Sequence, residues 1–202
     1  FQDAGLTCGL YRNLILPRTG VPPDQKPIDL LWVSRCQPIK RPHLFLDLVQ
    51  RLPDARCRMV CPREDVELWN SVSARAAELP NLEFIERVPY HEIQSVYDAA
   101  KIFVNTSEWE GWPNSFIQSG LGGTALLSLA VNPDGLFESY NLGRFCSGDF
   151  GRMVSAAREM LGSAHELKGM QQEATRFVTE MHDNRKETSA FLAGLVVADV
   201  TP

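Results

Sequence analysis

The chain has 202 residues, of which 44% are hydrophobic and 22% charged, with a formal net charge of −5. That length holds one domain with a full core and excludes two large ones, and the composition is that of an ordinary soluble globular protein. The negative balance offers no footprint for nucleic acid, the apolar runs are too short to span a membrane, and no secretory signal pattern opens the chain. The sequence begins at Phe1 rather than Met, as a piece of a longer protein would.

Residues 1–27, with Pro17, Gly20, Pro22, Pro23 and Pro27, read as a lead-in or linker, and the domain proper is taken as 28–202. From Ile28 onward, apolar runs of strand length alternate with segments of helical period, the βαβ pattern of a parallel sheet. The first strand is predicted over Ile28–Ser34, and Pro42 opens a helix with Leu44, Leu48 and Leu52 on one stripe. A second strand, Arg56–Cys61, leads to a helix with Glu64 and Asp65 near its start, where the helix dipole favours negative charge. Val66, Trp69, Val72, Ala76 and Leu79 are its predicted buried face, and it stops before Pro80. Strand three is predicted over Leu82–Val88, the next helix over His91–Ala100, and strand four over Ile102–Asn105. A helix near Asn114–Leu121, a fifth strand over Thr124–Leu129 and a weaker strand near Arg144–Cys146 follow. The tail reads as amphipathic helix with Leu167, Met170, Ala174, Val178 and Met181 at helical spacing, then a last helix carrying Phe191, Leu192, Leu195 and Val196. The expected fold is therefore α/β, a Rossmann-like doubly wound parallel sheet with a helical C-terminal tail and the strand order 3-2-1-4-5.

In such a sheet ligands bind beyond the carboxyl ends of the strands, where strand order reverses. After strand one comes Ser34-Arg35-Cys36-Gln37-Pro38-Ile39-Lys40-Arg41, whose Arg35 and Lys40 flank one loop and can converge on a diphosphate. Arg41 is predicted on the helix surface, where its loss should matter little. After strand four comes Asn105-Thr106-Ser107-Glu108-Trp109-Glu110-Gly111-Trp112-Pro113-Asn114-Ser115. Gly111 is expected to permit a turn that other residues resist, and the N–H groups of Asn114 and Ser115 to offer an anion site at a helix start. Glu110 is an acceptor for hydroxyl groups, and Trp109 and Trp112 could form a wall for a sugar or base. Taken singly, these loops also fit plainer readings: a solvated basic turn, and a capped helix start with tryptophans in the core. Asn132-Pro133-Asp134-Gly135 after strand five reads as an ordinary turn.

Several chemistries are disfavoured by what the sequence lacks. No G-x-G-x-x-G follows strand one and no G-x-x-x-x-G-K occurs, which argues against a dinucleotide dehydrogenase and a common NTPase. No Asp-x-Asp is present to clamp a metal. His43, His91, His165 and His182 fall in predicted helices and read as surface residues. Ser107 and Ser115 have no local base and are not assigned as nucleophiles. Cys8, Cys36, Cys57, Cys61 and Cys146 lack the second pair of a zinc site and read as reduced thiols, which suits a cytoplasmic protein.

From Leu30 to Gly135 the sequence resembles the C-terminal domain of GT-B glycosyltransferases of the group 1, or family 4, type. Ser34-Arg35 with Lys40 is similar to the family's G-R-x-x-x-x-K, and Glu110-Gly111-Trp112-Pro113-Asn114-Ser115-Phe116-Ile117-Gln118 to its E-G-F-P-N-x-x-x-E. Gly122-Gly123-Thr124-Ala125-Leu126-Leu127-Ser128-Leu129 resembles its G-x-P-V-V-x-S stretch. The resemblance implies a donor-binding domain for retaining transfer from a UDP- or GDP-type nucleoside diphosphate-sugar in glycan or polysaccharide synthesis, with no metal and no further cofactor. Catalytic roles would fall to Arg35 and Lys40, on the departing diphosphate, and Glu110, on the donor sugar. Gly111, Trp112, Asn114 and Ser115 would contribute to donor binding, and Gln118 would hold the ribose hydroxyls. Gln118 replaces the family's second glutamate and Ser34 its glycine; an amide oxygen still accepts from a hydroxyl, more weakly than a carboxylate. The resemblance further implies an acceptor domain, or a partner subunit, that this length leaves no room for, and through that half peripheral membrane association. Two other readings stay open: a donor-binding subunit of a split transferase, and a non-catalytic nucleotide-sugar-binding regulatory module.

Overall fold

The computed structural model describes residues 25–183 together with 188 and 189. Six strands form one parallel sheet in the order β3-β2-β1-β4-β5-β6, namely β1 (Ile28–Val33), β2 (Cys57–Val60), β3 (Leu82–Ile85), β4 (Ala100–Asn105), β5 (Ala125–Ser128) and β6 (Gly143–Phe145). Among the described residues, seven α-helices connect or follow them: α1 (Pro42–Arg51), α2 (Val66–Ala76), α3 (Ile93–Asp98), α4 (Asn114–Leu121), α5 (Leu136–Ser139), α6 (Phe150–Gly162) and α7 (Ala164–Met181). This is the predicted strand order extended by β6.

The central strands are apolar on both sides because both sides are covered. Successive residues of β1 and β4 point to opposite faces. Leu30, Trp32, Ile102 and Val104 meet Phe45, Leu48, Val72, Met153 and Ala157 from α1, α2 and α6. Leu31 and Phe103 meet Tyr97, Phe116, Ile117, Phe177 and Val178 from α3, α4 and α7. The long α7 serves both faces, since Leu167 and Met170 belong to the first core and Ala174, Phe177 and Val178 to the second. Its passage over α4 needs a glycine: a Cβ on Gly120 would lie 2.4 Å from Val178 Cγ2 and 2.7 Å from the Ala174 carbonyl oxygen. Below β1, Lys26 is buried and its Nζ donates to the carbonyls of Asp98 at 2.7 Å and Gly122 at 2.8 Å. The chain is thus already anchored before the predicted boundary at residue 28.

Several boundaries differ from the sequence reading. β1 and β3 end earlier than predicted, at Val33 and Ile85: the Ser34 N–H still donates to the Val60 carbonyl at 3.2 Å but the ladder stops there, and the chain bends at Glu86. In α2 the N-cap is Asp65, whose side chain accepts from the Leu68 N–H at 3.0 Å, so Val66 is the first helical residue and stands 53% exposed rather than buried. The third helix is shorter than predicted and leaves His91 in the exposed turn before it. Helix α6 was not anticipated. Its stripe of Met153, Val154, Ala157 and Met160 is narrow and set between polar residues. The predicted helix around Phe191–Val196 lies outside the described residues. His182, expected on a surface, is buried at the end of α7, against the rings of Trp112 and Phe177. Cys36, Cys57, Cys61 and Cys146 are free and buried, and burial pushes the Cys57 thiol up to about 12 and that of Cys146 to about 11.

Candidate functional site

The pairing of β1 with β4, which sets Leu31 opposite Phe103, brings the loops beyond their carboxyl ends side by side. Hydrogen bonds then stitch the two loops together. The Glu108 N–H donates to the Ile39 carbonyl at 2.9 Å, and Thr106 Oγ1 donates to the Lys40 carbonyl at 2.7 Å. The same hydroxyl oxygen accepts from the indole Nε1 of Trp32 at 2.9 Å, inside the core. The lysine and the carboxylate singled out from separate motifs end up in contact: Lys40 Nζ lies 2.9 Å from Glu110 Oε2, with both side chains mostly sheltered.

Asn105, the last residue of β4, orients the carboxylate. Its Nδ2 donates to Glu110 Oε1 at 2.8 Å while its Oδ1 accepts from the Ser107 N–H at 3.0 Å. Burial acts to raise the Glu110 carboxyl, but hydrogen bonds from Ser107, Lys40 and Asn105 and the nearby ammonium charge outweigh it. The carboxyl is held below the ordinary range, which keeps it ionised.

Arg35 does not join this pair. Its guanidinium is 63% exposed and forms a 3.1 Å ion pair with Glu64, which also accepts from Gln37 Nε2. Arg41, expected on a helix surface, is a correction. It sits between the two loops in the left-handed region, with φ 47 and ψ 54, and its Nε and Nη2 donate to the carbonyls of Thr106 and Ser107 at 2.8 and 2.9 Å. Neither its backbone nor this clamp was legible, because a non-glycine residue with positive φ leaves no sequence mark.

Beyond Glu110 the chain enters α4 through Pro113, which occupies the N-cap. The Phe116 N–H donates to the Pro113 carbonyl at 3.1 Å, whereas the Ser115 N–H precedes any intrahelical acceptor and faces out of the helix mouth. Gly111 is not held in a positive-φ conformation, and a Cβ there would meet nothing within 4 Å, so no turn requires glycine. Open space over its backbone remains as the reason a side chain would matter. The ring of Trp112 is committed to packing: it stacks on Phe177 at 6.0 Å and its Nε1 donates to Asp134 at 3.0 Å, leaving only its backbone to face a ligand. Asp134 thereby gives the Asn132–Gly135 turn a purpose the sequence did not suggest. Trp109, by contrast, is 70% exposed. Gln118 is half-buried on α4; its carbonyl accepts from Gln94 Nε2 at 3.0 Å and its side-chain amide makes no hydrogen bond among the described residues.

A groove of about 1350 Å³ lies at the other end of the sheet, lined by Asp29, Arg56, Lys101, Lys168 and Gln171 among others, and touches neither loop. In a parallel sheet the chemistry gathers at the carboxyl edge, so the two stitched loops, rather than this groove, form the candidate site. No group of three or more histidine, cysteine, aspartate or glutamate side chains able to hold a metal occurs among the described residues.

The family model for glycosyl transferases group 1 matches residues 18–133, more than half of the chain. The chain belongs to that family. No curated protein sequence matches it. Among solved structures, the C-terminal domain of the group 1 protein LpcC from Francisella tularensis superposes with a TM-score of 0.70 at 14% identity, over 84% of this chain and 96% of that one. TarM from S. aureus, in a complex that includes UDP, gives 0.68 at 12% identity, over 91% of this chain. Sucrose-phosphate synthase from Thermosynechococcus elongatus gives 0.69 at 16% identity, over 89%. The group 1 chain spans 38% of TarM and 47% of the synthase, but nearly all of the LpcC domain. Its fold is that of the C-terminal domain of a GT-B glycosyltransferase.

Proposed function

We propose that this group 1 domain binds the nucleoside diphosphate-sugar donor of a retaining glycosyltransferase, whose acceptor site lies on a further domain or a partner subunit. The observation that carries the reading is the contact of Lys40 with Glu110 at the carboxyl ends of β1 and β4, ahead of the start of α4. One cation and one ionised carboxylate on a rigid double loop suit the two halves of a donor. Lys40 meets the negative diphosphate, and Glu110 accepts from sugar hydroxyls. The Ser115 N–H at the start of α4 and the open backbone at Gly111 give the phosphates a second wall. Arg35 is exposed on its pair with Glu64 and adds a second cation when it turns toward the phosphates. Gln118, whose amide is uncommitted, accepts from the ribose.

Departure of the diphosphate leaves charge on its terminal oxygens, which Lys40 and the helix N-terminus offset electrostatically. This supply of positive charge makes a divalent ion unnecessary. TarM and the pneumococcal O-GlcNAc transferase GtfA, both solved with UDP, are similar in fold, and they favour UDP-sugars as the first donors to try. The test is calorimetric titration of UDP- and GDP-sugars with and without EDTA. Binding that survives chelation is expected; affinity that collapses with EDTA contradicts the metal-free reading.

A further inference from the structure

Two loops more than sixty residues apart in sequence must hold Lys40 and Glu110 at ion-pair distance, and only a few contacts do so. We propose that Arg41 is the positioning residue of this site, a clamp whose guanidinium fixes the loop of Glu110 against the loop of Lys40. The inference rests on the donor-binding reading above and deepens it.

Arg41 follows Lys40 directly and caps α1. Its backbone lies in the left-handed region at φ 47, which arginine adopts at a cost and glycine without one. The side chain supplies the compensation. The planar fork places Nε on the Thr106 carbonyl and Nη2 on the Ser107 carbonyl, so one residue satisfies two successive acceptors of a buried loop segment. Thr106 and Ser107 are 0% and 3% exposed, so their carbonyls, capped by Arg41, have little access to water as a substitute partner. Thr106 is also the residue whose hydroxyl holds the Lys40 carbonyl, and Ser107 contributes a hydrogen bond to Glu110. Arg41 therefore grips the two loop residues that touch the two members of the pair. Among the described residues it forms no hydrogen bond or ion pair with the Lys40 or Glu110 side chains and has no acidic partner, so it acts through the loop rather than on a ligand.

The left-handed backbone provides a variant that separates position from folding. Arg41→Gly suits φ 47 and removes the clamp together with its charge. Arg41→Lys keeps the charge but cannot span two carbonyls. The probes are UDP, GDP and ADP, each beside its nucleoside, titrated into wild type, Arg41→Gly, Arg41→Lys, Lys40→Ala and the Lys40→Ala/Arg41→Gly double variant. The expected result is a loss of about tenfold in affinity for the best-bound diphosphate in both Arg41 variants, with the nucleoside unaffected. In the Lys40→Ala background, removing Arg41 should add no more than about twofold, because the group it positions is gone. The Glu110 carboxyl, followed by NMR without ligand, should titrate at higher pH in Arg41→Gly than in wild type. Full additivity of the two losses, or an unmoved Glu110 titration, would overturn the inference while leaving the donor reading intact. If Lys40→Ala itself spares diphosphate binding, the donor reading fails and this inference with it.

Discussion

Glu110 carries a charge that burial opposes and its neighbours restore. Ser107, Lys40 and Asn105 bond to the ionised carboxylate, so its value in the folded protein is depressed. A depressed carboxyl contributes stability that is present above its unfolded value and is lost as pH falls through the folded one. The stability difference between wild type and Glu110→Gln should therefore be flat near neutrality. It should shrink as pH drops below 4.5, the ordinary value. Chemical unfolding at stepped pH measures this, and a difference that stays constant down to pH 3 would contradict the assignment. At this scale the sequence was legible where a residue type states its chemistry and the strand ends place it, as for Lys40 and Glu110. It was not legible where side-chain direction decides. Arg35 turns away to Glu64, Arg41 turns inward to two carbonyls, and the Trp112 ring faces Phe177 instead of the site.

Among the elements, α4 and α7 pack at backbone contact. Gly120 lets them approach to backbone contact, and a methyl there would overlap Val178 and the Ala174 carbonyl. Gly120→Ala should destabilise the domain by about 1–3 kcal/mol, the usual cost of overpacking. Gly169→Ala in the exposed face of α7, where a Cβ meets nothing within 4 Å, should stabilise it, by about 0.5–1 kcal/mol through helix propensity. Thermal unfolding of the two variants compares them directly; equal shifts would mean that the α4–α7 contact is looser than described. Strands were easily read because a doubly covered parallel sheet makes its strands continuous apolar runs, as in Leu30-Leu31-Trp32-Val33. Helix α6 escaped because it buries a narrow stripe containing Ala157 and no leucine, between polar neighbours. The β6 edge was legible only weakly, since its three residues include Gly143, where a Cβ would lie 1.9 Å from the Leu126 carbonyl oxygen.

The whole molecule separates two regions of unlike character. The amino edge of the sheet holds the groove around Arg56, Lys101 and Gln171, and the carboxyl edge holds the stitched loops with Lys40 and Glu110. The proposed donor binding is assigned to the second. A chain that grips the donor alone should bind nucleotide and transfer little sugar until an acceptor site is supplied. The most direct test is calorimetry of nucleoside diphosphates and their nucleosides on wild type and Lys40→Ala, with Lys168→Ala, at the far groove, as control. Loss of about 1.5–3 kcal/mol for the diphosphate is expected in Lys40→Ala, the range of a charge-assisted hydrogen bond. Arg35→Ala should lose less, because its guanidinium is exposed and already paired. Nucleoside binding and the Lys168→Ala variant should match wild type, and added salt should narrow the gap for the diphosphate alone. Equal effects on nucleoside and diphosphate, or a Lys40→Ala variant that binds diphosphate as tightly as wild type, would contradict the assignment of this site.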